Sequence, residues 1–273
     1  MKILRQKEDP KKNCDVLRST FPLTIESQEI HIWMTWPDEI TDISLLSSYE
    51  LILTQEERQR CQRFLREKDR KMALITRAFS RDVLSRYLNI QPQEVRFTVD
   101  GNQKPQLLEP SLPLSFNLSH TQGLIICSVI LHADIGCDVE LIKRQNAFME
   151  IAKRYFAACE INDLKAMPAD IQQKRFFEYW TLKESYLKAL GDGLNRPLND
   201  CSFHIGQKSA DLFYNSNIEL TTLEEGAGEK CRSFLYYPND THCIAMTVAN
   251  AEHENYELSV FRIMQEVYNP SSP

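Results

Sequence analysis

The alternation of strand-like and helix-like segments predicts a mixed α+β fold. One short segment of strand character is followed by long, charged helical segments and then by several apolar runs of strand length. The same order of strand, helices and strands occurs a second time, without close sequence repetition. Because no low-complexity linker separates the two halves, we expect them to pack tightly against each other.

In the first half, alternating apolar residues predict a strand over residues 30–36. Thr54 and Glu57 have the spacing of a capping box, which predicts that a helical region begins there and extends to about Leu88, with a break near Asp69. Three further strands complete this half, over residues 95–99, 114–118 and 124–130.

The second half is predicted to repeat this order. A strand over residues 135–141 precedes helices over residues 148–165 and 171–190, and Gly191 ends the longer helix. Short apolar runs then predict strands over residues 202–205, 218–221, 232–236, 243–248 and 258–263.

Composition and charge exclude several classes of protein. The 273 residues have a mean hydropathy of −0.40, and no stretch approaches the roughly 20 apolar residues of a membrane-spanning helix. We do not expect the polar N-terminal segment to be a secretory signal, and the eight cysteines contain no C-x-x-C pair. A net charge of −6 argues against bulk binding of nucleic acid. We therefore expect a protein of the reducing cytoplasm without disulfides or a zinc site.

Two carboxylates stand two residues apart in one predicted strand. Asp138 and Glu140 would project from the same face, while Val139 would point into a core. Because adjacent carboxylates repel each other, a hard divalent cation is a natural partner. The alternative is a solvated strand end with no bound ion.

The long second helix carries an aromatic, a carboxylate and an ammonium on one face. Trp180, Glu184 and Lys188 follow one another at intervals of four residues. The presence of the aromatic favours a cleft over open surface, and Gly191 and Gly193 permit close backbone approach to a ligand. The alternative is an ordinary surface ion pair between Glu184 and Lys188.

Asn117, Ser119 and His120 bring hydrogen-bonding groups to the end of a predicted strand. No G-x-S-x-G elbow accompanies them, so a contact with phosphate suits His120 better than a hydrolase dyad. The alternative is a turn with a surface histidine. A stripe of arginines upstream could also bind phosphate together with Lys104, or could be a solvated helical face. Its members are Arg63, Arg66, Arg70, Arg77 and Arg81.

Together these features indicate a phosphoryl-transfer site, with carboxylates for a metal, cations for phosphates and a candidate base. No Walker A loop, kinase glycine loop or G-x-G-x-x-G motif is present. Two other functions fit parts of the pattern. One is a metal-dependent nuclease, because Asp138-x-Glu140-x-x-Lys143 is similar to a D…E-x-K metal site, and the other is a non-catalytic ligand-binding or scaffolding protein.

Four motifs, in order and spacing, resemble those of the surfactin-synthetase-type 4′-phosphopantetheinyl transferases. Arg63-Phe64 with Asp69, and the segment from Ala152 to Phe156 with Glu160, are also similar to that family, so the match spans roughly residues 53–203. The motifs are Gly101-x-x-Lys104-Pro105, Phe116-Asn117-x-Ser119-His120-x-x-Gly123, Ile135-Gly136-Cys137-Asp138-Val139-Glu140 and Trp180-x-x-Lys183-Glu184-x-x-x-Lys188-x-x-Gly191-x-Gly193.

The resemblance implies two similar α+β lobes in one chain, related by pseudo-two-fold symmetry, with the active site in the cleft between them. The corresponding division is an irregular leader over residues 1–29, an N-terminal lobe over 30–133, a C-terminal lobe over 134–264 and a tail over 265–273. Such a two-lobed, pseudo-dimeric chain would act as a monomer.

The resemblance also implies roles for individual residues. Asp138, Glu140 and Glu184 would hold Mg²⁺, and Glu184 and Lys188 would be catalytic. The residues implied to contact coenzyme A are Lys104, His120, Ser119, Asp138, Lys183, Lys188, Arg63 and Arg70. The reaction would move the 4′-phosphopantetheine arm of coenzyme A to a serine hydroxyl of an apo carrier protein of fatty-acid, polyketide or peptide synthesis, releasing 3′,5′-ADP. No nucleic acid or membrane partner is expected.

Overall fold

The computed structural model describes residues 2–6, 15–17, 22–143, 147–191, 196–210, 213–223, 228 and 230–264. Within these residues the chain is a mixture of helices and several β-sheets, which confirms the predicted α+β class. No helix in this part of the chain has both the length and the apolar character needed to cross a membrane.

The first half contains seven strands and three α-helices among the described residues. In chain order they are β1 (Lys2–Gln6), β2 (Asp15–Leu17), β3 (Glu29–Thr35), α1 (Ile43–Ile52), α2 (Gln55–Gln62), α3 (Glu67–Leu88), β4 (Phe97–Val99), β5 (Pro105–Leu107), β6 (Leu114–Thr121) and β7 (Leu124–Leu131). The Thr54 capping box opens α2 as predicted, with Glu57 as its reciprocal partner. Helix α1 and strand β5 were not predicted.

The second half contains six strands and three α-helices among the described residues. They are β8 (Asp134–Leu141), α4 (Phe148–Tyr155), α5 (Ala158–Ala166), α6 (Ala169–Leu190), β9 (Cys201–Ile205), β10 (Ile218–Thr222), β11 (Arg232–Asn239), β12 (His242–Ala249) and β13 (Glu257–Met264). Gly191 ends α6 with a φ of 74°, in the left-handed region that glycine adopts without strain.

The two halves share one topology. In the first, β3 pairs with β7 and β7 with β6, and in the second β8 pairs with β12 and β12 with β11, all antiparallel. In each half a 22-residue helix, α3 or α6, is followed by a small two-stranded ribbon, β4–β5 or β9–β10. The predicted repetition of strand, helices and strands is therefore real at the level of chain connectivity.

The ends of the chain depart from the prediction. Strand β13, assigned to the C-terminal lobe from the sequence, pairs in parallel with β3 in the six-stranded sheet of the first half. Strands β1 and β2 extend the same sheet beyond β13, within the range predicted to be an irregular leader. The prediction was wrong for these segments because their structure depends on hydrogen bonds from a distant partner strand, which no local pattern reveals.

The sheets of the two halves pack face to face and enclose a shared apolar core. Ile32 of β3, Val139 of β8 and Met246 of β12 all belong to this core and are at most 1% exposed. Helix α3 covers the outer face of the first sheet, and α6 covers the outer face of the second. The halves thus share one buried layer, as the absence of a linker predicted.

Candidate functional site

The site lies at a seam where the edge strands β6 and β8 meet. The side-chain Oδ1 of Asn117 accepts a hydrogen bond from the backbone N–H of Cys137 at 2.9 Å, in place of a strand–strand bond. Two positions further along β6, Ser119 Oγ donates to Asp138 Oδ1 at 2.8 Å. This seam aligns the polar face of β6 with the acidic face of β8.

Helix α6 reaches the seam because β8 carries a glycine under it. A Cβ at Gly136 would lie 2.0 Å from the carbonyl oxygen of Ser185 and 2.3 Å from the backbone nitrogen of Ala189. Real Cβ atoms do not approach backbone so closely, so only glycine allows this contact. The close packing brings the α6 side chains at 184 and 188 to Asp138.

Asp138 is the centre of the site. It is 6% exposed, and its Oδ1 accepts from Lys188 Nζ at 2.7 Å as well as from Ser119. Its other oxygen, Oδ2, is buried and has no hydrogen-bond partner among the residues that the structure describes. A buried carboxylate oxygen without a partner is costly, and it is the type of atom that a hard cation binds.

The negative charge of Asp138 affects the pKa values of its neighbours Glu184, Lys188 and His120. Burial raises the pKa of Glu184, and the nearby Asp138 carboxylate raises it further, while Lys188 acts in the opposite direction. Burial alone lowers the pKa of Lys188, but Asp138 and its other neighbours outweigh burial, so the pKa is raised and the ammonium stays charged. Partial desolvation and Lys188 lower the pKa of His120, although its ring is exposed on the surface.

The three predicted metal ligands do not lie equally close to one another. Asp138 lies close enough to Glu184 to raise the pKa of Glu184, whereas Glu140 lies further along β8, where Thr121 Oγ1 donates to its Oε2 at 3.4 Å. Among the described residues, no three His, Cys, Asp or Glu side chains are grouped so that they could hold a metal ion by themselves. Mg²⁺ is usually held by one or two carboxylates with substrate phosphates completing its shell, so the Asp138–Glu184 pair fits this ion.

Lys104 extends the site along the end of α6. Its Nζ donates to the carbonyl oxygen of Ala189 at 3.0 Å, and its side chain passes close to Gly191, where a Cβ would lie 3.7 Å from Lys104 Cδ. Burial lowers the pKa of this ammonium, although Asp134 and Asp100 oppose the effect. Lys104 also lines a pocket of 510 Å³ with residues that include Ser115, His132 and Asp134.

Lys183 is not part of this site, which corrects the prediction that it contacts coenzyme A. Its side chain is fully buried on the opposite side of α6, where it pairs with Glu160 at 2.8 Å. Neighbouring side chains on a helix are separated by about 100°, and here Lys183 is enclosed with Glu160 while Glu184 lies near Asp138 and Lys188. The sequence motif contains both residues but does not show which of the two faces the seam.

The arginine stripe is also corrected. The chain leaves the helix between α2 and α3, so Arg63 and Arg66 are not on one continuous helical face with the arginines of α3, namely Arg70, Arg77 and Arg81. Arg81 is 3% exposed, pairs with Glu57 at 2.9 Å and donates to the backbone carbonyl of Val95. Arg63 is exposed, and Arg70 donates to the carbonyls of two residues that follow α2.

Three residues in the site or next to it had no predicted role. Gly136 provides the space for α6, Thr121 contacts Glu140, and Glu160 neutralises Lys183. A glycine inside an otherwise apolar strand is a signal that another backbone approaches closely, and this signal was present in the sequence. Gly193, predicted to lie near a ligand, is outside the described residues.

Comparisons with known proteins agree with this arrangement. The 4′-phosphopantetheinyl transferase superfamily profile matches residues 134–246, and the profile of the 4′-phosphopantetheinyl transferase N-terminal region matches residues 36–130. The two matches together cover β6, β8 and α6, the elements that form the site.

Individual relatives carry the same description. The 4′-phosphopantetheinyl transferase HetI of Nostoc sp. is 36% identical over 63% of this chain and 73% of its own. The 4′-phosphopantetheinyl transferase Sfp of Bacillus subtilis is 33% identical over 69% of this chain and 85% of its own. Among solved structures, the holo-[acyl-carrier-protein] synthase of Thermotoga maritima matches 44% of this chain and 64% of its own at 21% identity, with a TM-score of 0.34, which is too low to add weight. The sequence relatives and the two profiles establish that the chain belongs to the 4′-phosphopantetheinyl transferase family.

Proposed function

We propose that this protein transfers the 4′-phosphopantetheine arm of coenzyme A to a serine hydroxyl of an apo carrier protein and releases 3′,5′-ADP, in a reaction that depends on Mg²⁺. The observation that carries the proposal is the ion pair between the buried Asp138 and the partly exposed Lys188, beside Glu184. One carboxylate oxygen of Asp138 has no hydrogen-bond partner among the described residues. A fixed ammonium next to a cation-binding carboxylate is suited to a pyrophosphate group.

Asp138 and Glu184 would hold the Mg²⁺ ion, with Glu140 adjoining them. When bound, the ion would offset negative charge on the pyrophosphate as the leaving group departs. The remaining catalytic work falls to side chains of the chain itself. Lys188 is positively charged and held by Asp138, so it can stabilise the oxygens of the phosphoryl group during transfer without reorganising.

The transfer forms a bond between the serine Oγ and the β-phosphorus of coenzyme A and breaks the bond from that phosphorus to the oxygen that leaves with 3′,5′-ADP. The serine proton must go to a base. Glu184 is our candidate, directly or through a water molecule, because it is next to Lys188 and Asp138 and its raised pKa brings it closer to that of an effective base.

Other residues of the seam would bind the nucleotide end. Ser119 and His120 stand beside Lys188, and Lys104 lies one helical turn or less away at Ala189, so these groups can contact the phosphates of one extended ligand. Arg63 and Arg70 remain candidates for the 3′-phosphate. We further propose that the protein acts as a monomer in the cytoplasm, without nucleic acid or membrane partners.

The proposal is tested by the intact mass of apo carrier proteins of the fatty-acid, polyketide and peptide types after incubation with this protein, coenzyme A and Mg²⁺. We expect a gain of one phosphopantetheine arm that disappears with EDTA or when the acceptor serine of the carrier is replaced by alanine. Binding of coenzyme A without any gain on all three carriers would contradict the proposal and favour the non-catalytic alternative. Magnesium-dependent cleavage of plasmid DNA would favour the nuclease.

Glu184→Gln is expected to lower turnover about 10²- to 10⁴-fold, because glutamine cannot accept the serine proton. Turnover is measured in the same mass assay, and binding of coenzyme A is measured by calorimetry in the presence of Mg²⁺. Glu219→Gln, at an exposed position on β10, is the matched control and should leave turnover unchanged. Near-normal turnover of Glu184→Gln with ligand binding intact would exclude the role as base.

A further inference from the structure

Buried polar bonds fix the residues on both sides of Glu184. Lys183 Nζ pairs with Glu160 Oε2 at 2.8 Å, and both side chains are completely buried. Ser185 Oγ shares a hydrogen bond of 2.8 Å with Thr247 Oγ1 of β12, and both residues have no exposed surface. The flanking residues are therefore anchored, although neither contacts the site.

The two anchors act on different sides of the helix. Successive residues of an α-helix are separated by about 100°, so Lys183 and Ser185 point about 200° apart, with Glu184 between them. Lys183 is directed toward the β9 side, where it donates to the carbonyls of Leu198 and Cys201 at 2.9 and 2.5 Å. Ser185 is directed toward the sheet of β12. Rotation of α6 about its axis would break one anchor or both.

We propose that the Glu160–Lys183 pair and the Ser185–Thr247 bond are positioning elements that set the rotation of α6, so that Glu184 and Lys188 face Asp138. This inference rests on the proposed function. It makes Glu160, Lys183 and Thr247 positioning residues for the transfer, although none of them touches the ligand.

The ammonium group of Lys183 has all the hydrogen-bond acceptors that it needs. The three ammonium hydrogens have three acceptors, namely Glu160 and the two carbonyls. Glu160 also accepts from the backbone N–H of Ala157 with Oε2 and from that of Phe203 with Oε1. The Glu160–Lys183 ion pair therefore joins α5, α6 and the start of β9. These contacts oppose rotation of α6 about its own axis.

Stability alone is a weak explanation for such a pair. Burial raises the pKa of Glu160, even though Lys183 and two backbone N–H groups oppose that shift. The desolvation of the carboxylate thus outweighs the stabilisation it receives from its partners. Buried pairs of this kind can often be replaced by apolar side chains with little loss of stability, and they are better explained by the geometry they impose.

The double variant E160L/K183M tests the proposal, because it removes both charges together and keeps a filled core. Folding is checked by circular dichroism and thermal unfolding, and kcat, KM for the carrier and Kd for coenzyme A are measured. We expect a folded protein with Kd and KM within about threefold of wild type and kcat reduced about 10- to 100-fold, the effect of a small misplacement of catalytic groups. A folded double variant with wild-type kcat would overturn the proposal.

Thr247 provides a second test with smaller changes. T247V removes the hydroxyl at nearly constant volume, whereas T247S retains it, so kcat should fall for the first and be preserved for the second. The control E39Q/R262Q breaks an ion pair of 2.6 Å between Glu39 and Arg262 of β13, which does not involve α6, and should leave kcat unchanged. Equal kcat values for T247V and T247S would show that the Thr247 hydroxyl does not position α6.

A crystal structure of E160L/K183M gives a readout that does not depend on activity. We expect Lys188 Nζ to have left the hydrogen-bonding distance of 2.7 Å from Asp138 Oδ1 that it has in the wild type. If the wild type modifies no carrier, the proposed function fails, and this distance alone decides whether the positioning inference holds. An unchanged contact in the double variant would overturn it.

Discussion

Asp138→Asn is expected to lower kcat/KM for phosphopantetheine transfer about a thousandfold, which corresponds to about 4 kcal/mol of transition-state stabilisation. The substitution keeps the size of the side chain but removes the negative charge that holds Lys188 and, in our proposal, the metal ion. The Asp138 oxygen without a partner would no longer be a carboxylate oxygen. Lys188 would also lose the partner that keeps its pKa raised.

The measurement is the rate of mass gain of an apo carrier protein over a range of Mg²⁺ concentrations. Asp240→Asn, at an exposed position in the turn between β11 and β12, is the control and should behave as the wild type. A large loss in Asp138→Asn that excess Mg²⁺ partly restores would place the residue at the metal. Wild-type kcat/KM in this variant would rule out Asp138 as the centre of the site.

Gly136→Val is expected to destabilise the protein by at least about 3 kcal/mol, because α6 must move away from β8. The Cβ of the new side chain would meet the backbone of Ser185 and Ala189, which cannot yield as the end of a flexible side chain could. Since the same contact brings Lys188 to Asp138, we also expect loss of transfer activity in whatever fraction remains folded.

Urea unfolding measures this free-energy difference, and Gly101→Ala supplies the control. A Cβ at Gly101 would have no heavy atom within 4 Å, so that substitution should change the free energy of unfolding by less than about 1 kcal/mol. If Gly136→Val unfolded at the wild-type urea concentration, the close packing of α6 on β8 would be wrong. The comparison separates the effect of the site from the general effect of replacing a glycine.

Local periodicity explains which elements were predictable. On β8, Cys137 and Val139 enter the shared core while Asp138 turns to the seam, as the alternation of a strand requires. The capping box at Thr54 began a helix where it was expected. Helix α1 was missed because its hydrophobic pattern is weak and two of its apolar residues, Ile43 and Leu51, are largely exposed.

The sequence by itself determined the chemistry available at the site. Strand periodicity places Asp138 and Val139 on opposite faces of β8, and the interval of four residues places Glu184 and Lys188 on one helical face. Both relations follow from local geometry and do not depend on the tertiary structure. The four motifs in register were also sufficient to indicate the family, which the comparisons then showed.

Only the tertiary structure decided which of these groups meet. The meeting of β6 with β8, the burial of Lys183 against Glu160 and the pairing of β13 with β3 join residues that are distant in sequence or depend on how one helix is rotated. Such contacts are set by packing and by hydrogen bonds between separate elements, and a sequence pattern reports only on its own element. The motif lysines 183 and 188 differ in role for this reason, since the rotation of α6 buries the first and presents the second to Asp138.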